Sequence, residues 1–396
     1  MFPYEKPVDP TSVDMDLTIL SKAVCLFRQQ HSSGEFPGGQ LVVRRHGNVV
    51  INESIGVARG YRAGESIKFN VQENTPFPAF STGKPLAAVV IALLEERSLL
   101  NVHDPVAKFI PEFERHNKSN ITILDVLTHR AGIVVPSLYS EHKHAAHELV
   151  LNLLIDAKPT LKYGTFSYMA MEYGIILCEI VRRITGKSLA DFFDEEFAVP
   201  LNLPALKFGL AGRPIESLAY AYWLGTKNVS YSLGKEKVIV PSAKVADIYE
   251  NGSNPDESFK SVNPAFSLIT DAASLAAFYE FLVRNGVTNT GTKLLSEKTI
   301  HEYTQCAISG WNKSLKTYTS MGRGFILGST LPSLYGCYGW WNTKQCFGHA
   351  GSFSSIAFGD HQTKLSVAIL TNGNKGMFNL AKRFISINHQ LRKACY

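Results

Sequence analysis

The sequence predicts an α+β protein, with strands at the two ends of the chain and helices in the middle. Residues 40–56 form two β-type runs around His46-Gly47-Asn48, a pattern typical of a hairpin. Residues 354–359 and 365–371 alternate between apolar and polar positions, which indicates a second strand pair. The segments between these ends have helical apolar spacing. We therefore expect an α+β layer that receives a helical insertion.

The individual elements follow in chain order. Apolar spacing predicts helices over residues 17–30, 85–100, 123–127, 173–185, 189–198, 271–285 and 377–392. Gly186 and Gly286 stop two of them, because glycine is favoured just beyond a helix end. An extended segment over 71–80 leads into the long apolar helix 85–100, and Pro85 suits its first turn because a proline needs no N–H donor there.

The tetrapeptide Ser81-Thr82-Gly83-Lys84 lies at that junction, with its hydroxyl and its amine one helical turn apart on the same face. An amine of depressed pKa can activate a serine, and the free N–H groups of a helix start favour an oxyanion. A lysine in a first turn opposes the helix dipole, which indicates a function. Local features alone fit an ordinary N-cap with a solvated lysine equally well. The same spacing recurs in two polar stretches, at Ser140/Lys143 and Ser232/Lys235.

Composition excludes several classes of protein. The chain has 396 residues, of which 45% are hydrophobic and 19% charged, which is ordinary for a soluble globular protein of one or two domains. The net charge of +6 is spread along the chain without a Lys/Arg block longer than a pair, so no nucleic-acid partner is expected. Residues 1–25 lack the basic start and apolar core of a secretory signal, and no apolar run is long enough to span a membrane. We expect a cytoplasmic protein without a membrane partner.

The sequence predicts neither a metal nor an organic cofactor. The six cysteines lack metal-binding spacing and are expected to be reduced thiols. His144 and His147 are three residues apart, but nothing nearby completes a metal site. A Walker loop and a glycine-rich dinucleotide turn are absent from the sequence. No pattern indicates an oligomeric state.

Five blocks, the first of which contains Ser81-Thr82-Gly83-Lys84, occur in a recognisable order. They are residues 80–85 (FSTGKP), 99–106 (LLNVHDPV), 123–129 (ILDVLTH), 164–168 (GTFSY) and 347–352 (FGHAGS). In these blocks the chain resembles the serine β-lactamase and penicillin-binding-protein superfamily. It is most similar to the class C-like branch, which includes the family VIII carboxylesterases and the lovastatin-type acyltransferases. The resemblance extends from about Gly38 to Asn374.

The resemblance implies a β-lactamase/transpeptidase-like fold, in which helices flank an antiparallel sheet and a mostly helical domain is inserted. On this basis we expect residues 1–85 and 262–396 to form the α/β domain and residues 86–261 to form the helical domain. The active site is then expected in the cleft between them.

The resemblance also implies roles for individual residues. Ser81 is the expected nucleophile, Lys84 is its hydrogen-bonded partner, and Tyr168 exchanges protons with both. A lysine ammonium nearby is expected to lower the pKa of the Tyr168 phenol, so that either Lys84 or Tyr168 can be the base. The expected oxyanion hole consists of the N–H groups of Ser81 and Ser352.

Two departures from the family pattern bear on the substrate. His349-Ala350-Gly351 occupies the place of the Lys-Thr-Gly of the lactamases, and a neutral imidazole binds a carboxylate less well than lysine does. Ala170 occupies the place of the asparagine in the Tyr-x-Asn element, so the amide that grips a lactam side chain is missing. Gly351 is expected to let an acyl group approach its strand closely. Together, His349, Gly351 and Ala170 predict a substrate-binding surface that is poorly suited to β-lactams.

The aromatic pair Trp340-Trp341 is a further candidate for lining the substrate pocket, although most such residues are simply core. The sequence and the resemblance together predict a serine hydrolase that acts on a carboxylic ester through an acyl-serine intermediate. An acyltransferase that moves an acyl group from an ester or thioester to a small-molecule acceptor is the main alternative. A weak β-lactamase or D-peptidase, and a catalytically silent binding protein, remain open.

Overall fold

The computed structural model describes residues 2–139, 145–233, 236–260, 262–330, 335–341, 343–352 and 354–395. Its strands, in chain order, are β1 (Gly38–Arg45), β2 (Asn48–Arg59), β3 (Phe69–Asn70), β4 (Phe77–Pro78), β5 (Lys207–Phe208), β6 (Tyr222–Trp223), β7 (Val229–Leu233), β8 (Glu236–Val240), β9 (Leu268–Thr270), β10 (Ile308–Asn312), β11 (Thr317–Met321), β12 (Ile326–Leu327), β13 (Cys346–Gly351), β14 (Ser355–Asp360), β15 (Leu365–Thr371) and β16 (Gly373–Asn374).

The helices lie mainly between the two groups of strands. They are α1 (Leu17–Ser32), α2 (Lys84–Glu96), α3 (Ile123–Leu127), α4 (His147–Asp156), α5 (Met171–Thr185), α6 (Leu189–Phe193), α7 (Ser242–Asn251), α8 (Glu257–Lys260), α9 (Ala272–Val283), α10 (Glu297–Thr304) and α11 (Met377–Lys393). A π-helical turn, Asp194–Ala198, continues α6, and a 3-10 turn, Phe80–Gly83, precedes α2.

The main sheet joins the two ends of the chain. Its strand order is β10-β11-β12-β13-β14-β15-β1-β2-β3, and every neighbouring pair is antiparallel. The central contact pairs Leu41 of β1 with Ile369 of β15. This confirms the α+β prediction, in which strands from both ends surround a helical middle.

Alternation along β1 divides the core into two layers. Leu41 and Val43 point to the face that α1 and α11 cover, where they join Phe27 and Leu391 in one apolar cluster. Val42 points to the other face, into the larger cluster that contains α2, α5 and α9. The sheet therefore lies between the terminal helices α1 and α11 on one side and the cluster that contains α2, α5 and α9 on the other.

Helix α2 lies at the centre of the larger cluster. Every residue from 84 to 94 is buried, as expected for a helix that is apolar on all sides. Helix α5 packs against it. The Tyr173 hydroxyl in α5 donates a hydrogen bond to the Lys84 carbonyl at 3.1 Å. The start of α2 is thereby fixed between the sheet and α5.

Some boundaries differ from the sequence-based expectation. Helix α2 ends at Glu96 rather than at residue 100, because Ser98 adopts a left-handed φ of +58°. Of the extended segment 71–80, only Phe77–Pro78 forms a strand, which pairs with β9. The hairpin β10–β11 was not predicted at all.

The remaining structural expectations concern cysteines, membranes and metals. None of the six cysteines is assigned to a disulfide bond with another described residue. Among the described residues, no helix combines the length and the apolar character needed to cross a bilayer. The same part of the chain contains no cluster of three or more His, Cys, Asp or Glu side chains that could hold a metal ion.

Candidate active site

Ser81 lies in the turn that leads into α2, and its side chain is not a helix cap. The 3-10 turn and the first turn of α2 both lack a side-chain cap hydrogen bond. Instead, the Ser81 hydroxyl donates to the Ala265 carbonyl at 3.0 Å, and the Lys84 Nζ lies 3.1 Å from the Ser81 Oγ. Phe80, directly before the serine, adopts a left-handed φ of +53°. Such strain in a non-glycine residue is common where a backbone presents a functional group.

Lys84 is fully buried, which excludes the alternative of a solvated first-turn lysine. Burial lowers the pKa of its amine to about 7, and the nearby Glu172 carboxylate opposes the shift only in part. The Nζ lies 5.1 Å from the centre of the Tyr168 ring and 5.8 Å from that of Tyr173. At neutral pH, a substantial fraction of Lys84 is therefore the free amine, beside the hydroxyl it would deprotonate.

Tyr168 joins this pair, but the prediction for its pKa was wrong. Its hydroxyl is buried and has no hydrogen-bond partner of good geometry among the described residues. Burial raises the pKa of Tyr168 to about 12, and this outweighs the lowering by Ser81 and Tyr335 close by. The effects on the Tyr168 pKa come from burial, Ser81 and Tyr335, and the expected lowering by the Lys84 ammonium is not among them. Tyr168 is a protonated phenol at physiological pH.

The backbone of Tyr168 is held by the β10–β11 hairpin. The Asn312 Oδ1 accepts a hydrogen bond from the Tyr168 N–H at 3.1 Å, and the Ser314 hydroxyl donates to the Tyr168 carbonyl at 3.1 Å. Asn312 is fully buried at the end of β10. The hairpin that the sequence did not reveal therefore positions one of the three predicted catalytic residues.

Two neutral histidines complete the wall around Tyr168. The His349 Nδ1 lies 2.5 Å from the Ala350 carbonyl, so it carries the proton and leaves the Nε2 lone pair free. The His129 Nδ1 accepts the Met169 N–H at 3.1 Å, so its proton is on Nε2. Their rings lie 5.9 Å and 4.5 Å from that of Tyr168.

Burial keeps both imidazoles uncharged. Burial, with a further contribution from the Lys84 charge, lowers the pKa of His349 to about 3 and that of His129 well below its usual range. The Nε2 atoms of both rings are buried and have no partner among the described residues. The two rings therefore carry one free acceptor, the His349 Nε2, and one free donor, the His129 Nε2–H, beside the unpartnered Tyr168 hydroxyl.

The end of β13 lies against the nucleophile turn. A Cβ on Gly351 would lie 2.1 Å from the Ala79 carbonyl oxygen, and the Ser355 hydroxyl donates to that same oxygen at 2.8 Å. The space beside Gly351 is thus occupied by the chain just before Ser81, and this close packing explains the glycine without an approaching acyl group. Ser352 follows with a left-handed φ of +37°, and its N–H donates to no backbone oxygen among the described residues. It remains available to an oxyanion.

The other predicted substrate-binding residues are placed differently. Ala170 directly precedes α5, and its N–H donates to the Tyr139 hydroxyl at 3.2 Å. Trp340 and Trp341 are 40% and 57% exposed, and the Trp341 carbonyl accepts a hydrogen bond from Arg392 of α11. No ring contact among the described residues connects either tryptophan with Tyr168 or His349.

Tyr335 is the aromatic residue that lies against the site. Its ring centre is 5.8 Å from that of Tyr168 and 6.3 Å from that of His349, in edge-to-face geometry. The aromatic lining predicted from the sequence was Trp340-Trp341 and not Tyr335. His129 stood in a family block without a role, and no pattern indicated Ala265, which contributes only a backbone carbonyl. Of the competing motifs, Ser140, Lys143 and Lys235 lie outside the described residues, as does His144 of the histidine pair.

Comparison with known proteins covers nearly the whole chain. A family model described as Beta-lactamase matches residues 25–391. The Esterase/beta-lactamase LipL of Mycobacterium tuberculosis is 24% identical over 388 residues, which cover 93% of this chain and 85% of LipL. A penicillin-binding protein homologue from Caulobacter crescentus superposes with a TM-score of 0.77 at 23% identity, covering 95% of this chain and 97% of that one. A family VIII carboxylesterase superposes with a TM-score of 0.72 at 22% identity, covering 97% and 99%. These likenesses confirm the predicted fold class.

Proposed function

The chain belongs to the beta-lactamase family of serine hydrolases, and from this premise we propose that it cleaves carboxylic esters through an acyl-Ser81 intermediate. The observation that carries the proposal is the buried Lys84 Nζ, 3.1 Å from the Ser81 Oγ, with its pKa lowered by burial to about 7. A base works best when its pKa is near the working pH, because it is then both available and strong enough.

Acylation begins with a change of partner at Ser81. In the resting site its proton points to the Ala265 carbonyl, so the hydroxyl must turn toward the free Lys84 amine. Lys84 takes the proton while the Ser81 Oγ bonds to the ester carbonyl carbon. The carbonyl oxygen becomes an oxyanion, which the N–H groups of Ser81 and Ser352 stabilise.

Tyr168 then acts as an acid toward the leaving group. When the bond from the carbonyl carbon to the alkoxy oxygen breaks, the departing alkoxide takes the phenolic proton of Tyr168. The Lys84 ammonium returns a proton to the phenolate, which restores the resting protonation of both residues. A water molecule next attacks the acyl group and gives up a proton by the reverse route, so that Ser81 is regenerated and a carboxylic acid is released.

The polar groups beside Tyr168 support a neutral ester as the substrate. His349 presents a lone pair and no charge, so it accepts a hydrogen bond and does not attract a carboxylate. Ala170 presents only a methyl group where the family's lactamases have an amide. The name of the LipL relative includes esterase as well as beta-lactamase activity, and one structural neighbour is a carboxylesterase. Both names agree with this choice of substrate class.

The proposal is tested by incubating the protein with p-nitrophenyl esters of short acids. We expect release of p-nitrophenol in water without any added acceptor, and an intact-mass increase equal to one acyl group, located on the peptide that contains Ser81. If p-nitrophenol is released only when an alcohol or amine acceptor is present, the protein is an acyltransferase and not a hydrolase. The absence of any adduct under both conditions would contradict the acyl-serine mechanism.

Replacing Tyr168 with phenylalanine should lower kcat by about 100-fold for an alkyl ester, because the departing alkoxide loses its proton donor. The loss should be much smaller for a p-nitrophenyl ester, whose phenolate leaves without a proton. Steady-state kinetics with both esters measure the difference. Tyr163→Phe is the matched control, since the Tyr163 hydroxyl donates to Asp125 at 2.9 Å on the exposed side of the same segment. Equal losses for the two esters would exclude an acid role for Tyr168.

A further inference from the structure

The second oxyanion donor, Ser352, sits in a turn whose conformation is unfavourable. Its φ of +37° lies in the left-handed region, where a serine side chain is strained. A strained residue keeps such a conformation only if contacts around it hold the backbone in place. The turn therefore needs anchors, and the structure provides them on both sides of the residue.

The first anchor fixes the peptide that carries the Ser352 N–H. The carbonyl of this peptide belongs to Gly351. It accepts a hydrogen bond from the Ser354 N–H at 3.0 Å and shares, at 3.2 Å, the Ser355 hydroxyl proton that lies closer to the Ala79 carbonyl. In a trans peptide the N–H points away from the carbonyl. The Ser352 N–H is thus directed away from these two bonds.

The second anchor is the side chain of Asn374 in β16. Its Nδ2 donates to the Ser352 carbonyl at 3.0 Å, and its Oδ1 accepts the Gly376 N–H at 2.8 Å. Both ends of the amide are used, so its orientation is fixed. The side chain is almost fully buried, and the backbone of Asn374 accepts the Leu224 N–H at 2.8 Å. A rigid group therefore holds the far side of Ser352.

We infer that Asn374 is a positioning residue for catalysis: it holds Ser352 in the left-handed conformation that presents its N–H to the oxyanion. The inference rests on the proposed acyl-Ser81 chemistry. Without the Asn374 donor, the Ser352 carbonyl is free and the strained φ can relax. The relaxation rotates the adjoining peptide and turns the N–H away from the oxyanion.

The chain provides a matched control two residues away. Asn372 is also buried, and it also uses both ends of its amide: it accepts the Gly38 N–H at 2.8 Å and donates to the Val57 carbonyl at 2.9 Å. Neither of these bonds reaches Ser352. Asn372→Ala therefore removes the same kind of buried amide from the same segment and leaves the oxyanion turn intact.

The test compares Asn374→Ala with Asn372→Ala. We expect both variants to lose thermal stability, but only Asn374→Ala should lower kcat by about 10- to 100-fold, with KM changed by less than about threefold. If the two variants lose kcat in parallel, or if Asn374→Ala keeps its kcat, the positioning role is wrong. Should Asn374→Ala not fold, Asn374→Asp replaces it, because the carboxylate keeps the acceptor for the Gly376 N–H and lacks the donor for Ser352.

Two further measurements separate this inference from the proposed function. Hydrogen–deuterium exchange of the peptide that contains Ser352 should rise in Asn374→Ala and not in Asn372→Ala, whether or not the protein is an esterase. Unchanged exchange overturns the anchor, and raised exchange with undiminished kcat overturns its part in catalysis. Adding Ser352→Gly to Asn374→Ala should recover part of kcat, because glycine adopts a positive φ without strain. No recovery in the double variant counts against strain at Ser352 as the cause.

Discussion

Replacing Ser81 with alanine should abolish ester turnover, with kcat falling by about 10⁴-fold or more, the scale for losing a nucleophile. The change deletes the atom that bonds to the substrate carbonyl carbon. It also removes the hydroxyl that lies 3.1 Å from the Lys84 amine. A fluorophosphonate probe, which reacts with activated serines, should label the wild-type protein once and the Ser81→Ala variant not at all.

The control for this experiment is Ser232→Ala, because Ser232 and Lys235 have the same spacing in the sequence as Ser81 and Lys84. The Ser232 variant should label and turn over at wild-type rates. If labelling survives in Ser81→Ala and disappears in Ser232→Ala, the nucleophile is Ser232 and not Ser81. A wild-type protein that neither labels nor turns over any ester would favour the silent binding protein.

The sequence predicted the contact in the site that joins residues close together in the chain. Ser81 and Lys84 are three residues apart, and helical geometry alone places such residues on one face, so their 3.1 Å contact follows from spacing. The resemblance added Tyr168, which lies beside them as expected, with the Lys84 Nζ 5.1 Å from its ring centre. Local geometry and family order are both visible in a single sequence.

The remaining part depends on contacts between distant segments. The Ala265 carbonyl, the Asn312 amide and the Asn374 amide each form a hydrogen bond to a residue of the candidate site, but they come from positions 22 to 184 residues away from that residue. A backbone carbonyl has no sequence signal at all, and a single buried asparagine has a weak one. Such anchors are determined only when the chain has folded.

The pKa of Tyr168 shows why the sign of an electrostatic effect also needs the structure. A positive charge near the phenol, which is all that the sequence indicates, lowers the pKa of Tyr168. Burial of the hydroxyl raises the pKa to about 12 and is the larger effect. The depth of burial of a side chain depends on the packing of all its neighbours, and Tyr335 and His349 come from segments far from Tyr168.

In the fold, too, some strands could be predicted from the sequence and others could not. The end strands were predicted from local signals: β-type runs on both sides of the His46-Gly47-Asn48 turn for β1 and β2, and a second pair of β-type runs for β14 and β15. The hairpin β10–β11 was missed because it lies at the sheet edge and exposes large aromatic side chains, Trp311 and Tyr318, opposite each other. An edge strand with a weakly buried face has no clear pattern of period two.

Replacing Lys84 with alanine should lower kcat/KM by about 100-fold or more, because Ser81 loses the amine that accepts its proton. The informative partner variant is Lys84→Arg. Arginine keeps a positive charge of similar reach, but it does not lose its proton at any physiological pH. We expect Lys84→Arg to be as inactive as Lys84→Ala. Substantial activity in Lys84→Arg would show that the residue contributes only charge, and would leave the base to another group.

The pH dependence of the wild-type enzyme gives an independent test of the same role. Only the free amine accepts a proton, and burial lowers the pKa of Lys84 to about 7, so kcat/KM should fall about tenfold per pH unit below that value and level off above it. Burial lowers the pKa of His349 to about 3 and raises that of Tyr168 to about 12, so neither group should add a second limb between about pH 5 and about pH 9. The acid limb should disappear from the residual activity of Lys84→Ala. A wild-type profile that is flat over this range, or an acid limb that survives in the variant, would assign the proton transfer to a different residue.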